Sequence, residues 1–256
     1  MKNTRGVQQK MKKDEKIVSV ETLGLSQREF LTLFILKELK DSGPNYPRAL
    51  YNLLTSNFSG KVHSYDYLCK TAKGLADSGD LLLSREAGRN FYEISAKGKK
   101  LYDWYQQNFK ERLLEIKKVI DRFVFDLTGS GEHTPVEEEL PEEYRRYFSK
   151  IISVKDLVRY VTLRTASKRT SVYMGEIGEL LKMKFGWIAS NGYIYDIASE
   201  MESRGSMVGQ WESEKRTKRF LRITPEGEIH LKQIADDAAH RVKEIQHYLR
   251  QVLQFL

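Results

Sequence analysis

The sequence lacks most of what would announce a chemistry. No apolar run approaches the roughly 18 to 20 residues that cross a bilayer, so no membrane-spanning helix is expected. The lysines near the N-terminus have no apolar stretch behind them, which is not the pattern of a secretory signal. A single cysteine, Cys69, leaves no internal disulfide to form and fits a reducing cytoplasm. Its place in an apolar helical pattern reads as a plain buried thiol rather than a redox sensor. No Cys/His cluster has metal-ligand spacing, so neither metal nor cofactor is expected. There is no phosphate-binding glycine loop, no Gly-x-Ser-x-Gly elbow and no His-Glu-x-x-His helix, and the chain does not read as an enzyme.

What is present begins with charge. The 256 residues carry a net charge of +8, unevenly distributed. Residues 128–143 hold six glutamates (Glu132, Glu137, Glu138, Glu139, Glu142 and Glu143) and no Lys or Arg. The rest of the chain therefore carries +14, an excess that suggests a polyanionic partner. The acidic run follows Thr128-Gly-Ser-Gly and reads as a flexible, solvated linker leading into a short helix near Leu140 to Phe148.

On either side of it the chain repeats itself, residues 26–127 against 153–256. Ser26 and Ser153 each stand three residues before an acid (Glu29, Asp156), the arrangement of a capping box at a helix start. At an offset of 127, Phe30 meets Leu157, Phe34 meets Val161, Leu50 meets Ile177 and Phe58 meets Phe185. At 126, Ser64 meets Ser190, Leu68 meets Ile194, Ala72 meets Ala198 and Gly79 meets Gly205, the glycines standing where a helix C-cap needs positive φ. Leu81–Leu83 and Met207–Val208 then suit short strands, and Phe91–Ile94 and Phe220–Ile223 alternate as half-buried strands do, now offset by 129. Each copy closes in a long helix. Phe109, Leu113, Ile116, Ile120, Phe123 and Leu127 follow heptad spacing, and Ala238, Val242, Ile245, Leu249, Val252 and Leu256 match them. Such a stripe is expected to be a helix-pairing surface; its alternative is packing of each helix back onto its own unit.

The expected architecture is mainly α with small β-wings: two tandem winged helix-turn-helix units, each with a long C-terminal helix. A disordered basic arm (1–20) precedes unit one (21–127); the acidic linker (128–148) leads to unit two (149–256). In such a unit the third helix is shaped for the major groove, and the hairpin tip reaches phosphates or the minor groove. The tips carry Arg85 and Arg89 in the first copy and Lys215, Arg216, Lys218 and Arg219 in the second. Base contact is expected from the outward, N-terminal part of each third helix: Ser64, Tyr65, Tyr67, Lys70 and Thr71, then Ser190, Asn191, Tyr193 and Asp196. Tyr67 and Tyr193 are equivalent and serve equally well as caps on the core.

The segment Ser190-Asn-Gly-Tyr-Ile-Tyr-Asp-Ile-Ala-Ser-Glu-Met-Glu-Ser-Arg-Gly205, with its aliphatic–Tyr pair Ile194-Tyr195 and closing glycine, resembles the recognition helix of PadR-type transcriptional regulators. Phe220-Leu-Arg-Ile-Thr-Pro-Glu-Gly227 is similar to that family's second wing strand and Thr-x-x-Gly turn. The first copy departs from the pattern, with Leu68-Cys69 in place of the pair and Ser95-Ala-Lys-Gly98 in place of the turn. The resemblance implies a cytoplasmic bacterial or phage regulator, repressor-like, that binds double-stranded DNA and pairs through its C-terminal helices. It leaves any effector unidentified, and two units in one chain depart from the family's usual single unit. The layout is also similar to the bacterial replication terminator protein. Pairing is open between an intrachain pseudo-dimer and a homodimer, and a winged helix also serves in protein-interaction adaptors.

Overall fold

The computed structural model describes residues 24–58, 64–212 and 218–256. The chain is mainly helical with small antiparallel sheets, as expected. The first half runs α1 (Gln27–Ser42), α2 (Pro47–Asn57), α3 (Tyr65–Asp77), β1 (Leu81–Glu86), β2 (Arg89–Ile94) and α4 (Ala96–Thr128). After α5 (Glu142–Ile151), the order recurs as α6 (Val154–Ser167), β3 (Val172–Tyr173), α7 (Met174–Phe185), α8 (Asn191–Ser203), β4 (Met207–Trp211), β5 (Arg219–Ile223) and α9 (Pro225–Leu253). The expected arm, 1–20, lies outside the described residues.

Hydroxyl caps set where most of these helices start. Ser26 and Glu29 form the reciprocal capping box at α1, with Oγ accepting from the Glu29 N–H at 3.2 Å and Oε2 accepting from the Ser26 N–H at 2.7 Å. At α6 the expected box is not made: Ser153 caps nothing, and Asp156 accepts instead from Arg159 at 2.9 Å. Ser64 and Ser190 cap α3 and α8 alike, accepting from the Tyr67 and Tyr193 N–H groups at 3.3 and 3.4 Å. Ser95 and Thr224 cap the long helices, each accepting from a glycine N–H at 3.0 Å. Their hydroxyls also donate backwards, Ser95 to the Gly79 carbonyl at 2.8 Å and Thr224 to the Gly205 carbonyl at 2.6 Å. One side chain thereby ties the start of each long helix to the turn that follows α3 or α8. Gly98 and Gly227 permit this approach, because a Cβ there would collide with the Asp80 and Ser206 carbonyls respectively.

The hairpins differ between halves. β1 and β2 join through a two-residue turn, Ala87-Gly88, with φ of +47° and +77°, the hand that matches strand twist. β4 and β5 join across a longer connection, and β3 adds a third strand through Val172↔Leu221. At the equivalent place in the first half there is only a bridge, Asn45↔Tyr92.

The long helices decide the tertiary structure. α4 and α9 share the largest helix–helix interface, and they run antiparallel. Tyr102, early in α4, donates to the Phe255 carbonyl at 3.2 Å, whereas Asp121, late in α4, accepts from Gln246 at 2.6 Å. Each helix also ends on the opposite half. Phe255 sits against Phe30, Phe34 and Phe58 of the first half. Reciprocally, Phe123 stacks on Phe185 of α7 at 3.9 Å between centroids, and Asp126 accepts from Tyr160 and Arg164 of α6. The buried side chains of both halves consequently form one connected core.

The acidic segment does not run free as expected. Arg122 donates to the Thr134, Pro135 and Phe185 carbonyls at 3.1, 2.8 and 3.0 Å. The Leu140 N–H donates to the Gly186 carbonyl at 2.6 Å, and Glu139 pairs with Lys182 at 2.8 Å. Satisfying one buried guanidinium with three backbone carbonyls pins the segment between α4 and α7.

Candidate nucleic-acid interface

α3 and α8 are each buried along one side and open along the other. Leu68, Thr71, Ala72 and Leu75 form the inner face of α3; Ile194, Ile197, Ala198 and Met201 form that of α8. Thr71 was expected outside and is not. Its position is that of Ile197, and its hydroxyl is satisfied within the helix by the Tyr67 carbonyl at 2.9 Å, so a polar residue can occupy a core site. Ser64 and Lys70 are exposed, and Tyr67 is half-buried against the core. Tyr65 lies between Arg48 of α2, whose guanidinium stands 3.9 Å over its ring, and Cys69, whose hydrogen bond together with burial raises the phenol's pKa. Cys69 itself is half-buried rather than enclosed.

On α8, Ser190, Asn191 and Asp196 are exposed, and Tyr193 is exposed enough to reach outward although burial raises its pKa. Tyr195, not among the expected base-contacting residues, projects further, at 53% exposure. The other α8 carboxylates are occupied. Glu200 accepts from Lys155 at 2.5 Å, from Arg204 at 2.7 Å and from Arg159. Burial alone would raise its pKa, but these cations outweigh burial and hold the carboxyl below its ordinary value. Nothing in the spacing of one helix marks Glu200, since two of its three partners stand on α6.

Arg85 and Arg89 are exposed on the first hairpin, with Glu86 beside them opposite Arg89. Arg89 also stands 5.5 Å over the Tyr46 ring. On the second hairpin Lys218 is exposed, 5.4 Å over the Tyr173 ring. Arg219, expected at the tip with it, is turned back: it pairs with Glu202 of α8 at 2.7 Å and covers Trp211 at 5.1 Å. Gly209 leaves the space for that pair, because a Cβ there would collide with the Glu202 carboxylate. Lys215 and Arg216 lie outside the described residues.

The two apolar stripes lie where α4 and α9 meet the core. Phe109, Leu113, Ile116, Ile120 and Phe123 are buried, as are Ala238, Val242, Ile245, Leu249, Val252 and Leu256; Leu127 is half-buried. Two polar residues also enter this seam, Asp121 and Gln246, and a stripe read for apolar matches passes over both. Compared with known proteins, the chain matches no family model and no curated protein at significant similarity.

Proposed function

We propose that the chain is a sequence-specific double-stranded DNA-binding protein, a repressor-like regulator of bacterial or phage type similar to the PadR regulators. Each half is read as a winged helix-turn-helix unit: α3 and α8 enter successive major grooves, and the β1–β2 and β4–β5 tips reach the flanking backbone. The observation that carries this reading is the recurrence of one arrangement: a capped third helix with an open polar face, followed by a hairpin bearing exposed cations. The antiparallel α4–α9 pair then serves as an intrachain pseudo-dimer interface, doing within one chain what two subunits otherwise do.

DNA binding by such a surface releases counterions in proportion to the phosphates it neutralises. If about 8 phosphates are engaged, log K against log salt falls with a slope near −7. Replacing Lys215, Arg216 and Lys218 together by alanine should weaken binding to every sequence and flatten the slope by about 3. Arg219 is kept, because it holds Glu202. Binding that is absent, or indifferent to salt, would refute the proposal. The adaptor reading has one observation of its own, the exposed Leu82, Leu83 and Val208 on the outer strands, and it gains only if that refutation occurs.

A further inference from the structure

α3 and α8 are built to the same plan but do not carry the same charge. Their caps, Ser64 and Ser190, are 126 residues apart, and every buried position of one helix has its counterpart at that offset in the other. Lys70 and Asp196 therefore occupy the same place, each six residues after the cap. Both are exposed, and among the described residues neither makes an ion pair or a side-chain hydrogen bond. That freedom is selective on α8. Glu200 is held by Lys155, Arg159 and Arg204, and Glu202 by Arg219, while Asp196 is left outward and unneutralised.

An outward carboxylate in the middle of a helix meant for DNA is repelled by phosphates, so it costs affinity unless a donor faces it. In the major groove the cytosine N4 amino group is such a donor, while guanine offers O6 and N7 acceptors that an ammonium can meet. Resting on the proposed DNA-binding function, we infer that Lys70 and Asp196 are complementary base readers that take guanine in one half-site and cytosine at the symmetry-related position of the other. The target is then an inverted repeat broken by the reversal of one base pair, and the chain sits on it in a single orientation. Two identical subunits could not impose that polarity; two unlike units in one chain can.

The test uses the full chain to select bound duplexes from a random pool, in parallel with Asp196→Lys and Lys70→Asp variants whose melting temperatures are checked against wild type. The wild type should enrich an inverted repeat with one base pair reversed between halves, and Asp196→Lys should restore the symmetry at that position only. Asp196→Ala, the milder change, should weaken binding to the wild-type site about 5- to 150-fold while tightening binding to random duplex. A perfect inverted repeat selected by the wild type would overturn the inference, as would equal tightening of Asp196→Ala on both kinds of duplex, the behaviour of a solvated charge. Neither result touches the proposed function, which falls instead if no duplex is bound in a salt-dependent manner.

Discussion

The Asp121–Gln246 contact gives the sharpest test of how the two halves are held. Asp121 is 2% exposed, yet its carboxylate has two partners: Lys117 at 2.5 Å on its own helix and Gln246 at 2.6 Å across the seam. Gln246→Ala removes the cross-seam partner and leaves a buried carboxylate oxygen unpaired. A hydrogen bond to a charged group contributes about 1.5–3 kcal/mol, and for a chain of this size each kcal/mol is about 2–4 °C in melting temperature. The variant should therefore melt roughly 3–12 °C below the wild type. Asp121→Leu takes the partner from the buried Gln246 amide, whereas Lys117 is part-exposed and stands 3.8 Å from Glu132. Replacing both Asp121 and Gln246 by leucine exchanges a buried polar pair for apolar volume, which is commonly neutral or stabilising. Urea unfolding of the wild type, Asp121→Leu, Gln246→Leu and the double leucine variant should give a coupling energy of about 1.5–3 kcal/mol. The double variant should keep its stability; on the proposed DNA-binding function it should bind selected duplex more weakly, if the polar pair sets the register of α4 against α9 and with it the placement of α3 and α8. A Gln246→Ala variant as stable as the wild type, or a coupling below about 0.5 kcal/mol, would refute this account of the seam.

Two further outcomes follow from the exchange of helix ends and from the half-buried imidazole of His230. Phe255→Ala removes a ring lodged among Phe30, Phe34 and Phe58, so it should cost about 3–5 kcal/mol and speed amide exchange in α1 and α2, more than 190 positions away in the chain at their nearest to it; protection there as in the wild type would contradict the exchange. His230, whose Nδ1 lies 3.1 Å from the Ser206 hydroxyl, has its pKa lowered by burial, then by Arg159 and Arg204. The unfolded chain takes that proton first, so this contribution is complete above the ordinary value of 6.5 and is lost as pH falls from there towards the depressed folded value. Urea midpoints at pH 7.5 and 5.5 should converge in His230→Gln relative to the wild type, and parallel losses in the two proteins would exclude the imidazole as the source.

By itself the sequence determined what depends on near neighbours: the capped start at Ser26, the small strands, the two apolar stripes and the repeat that relates the halves. These are written in spacings of three and four residues or in alternation, because a side chain three or four positions along a helix is its immediate neighbour. Tertiary structure alone decided which partners the open groups find. A stripe says that Phe123 must be buried but not that Phe185 will cover it, and an arginine in a hairpin sequence looks free until Glu202 is brought beside Arg219. Thr71 has the polar character by which a sequence places residues outside, yet it faces the core because its hydroxyl is satisfied by its own helix. The composition of the acidic segment favours solvation, but Arg122, buried where α4 meets α7, holds the segment through its Thr134 and Pro135 carbonyls. Partners set by folding are separated by tens to over a hundred residues, and no local period records them.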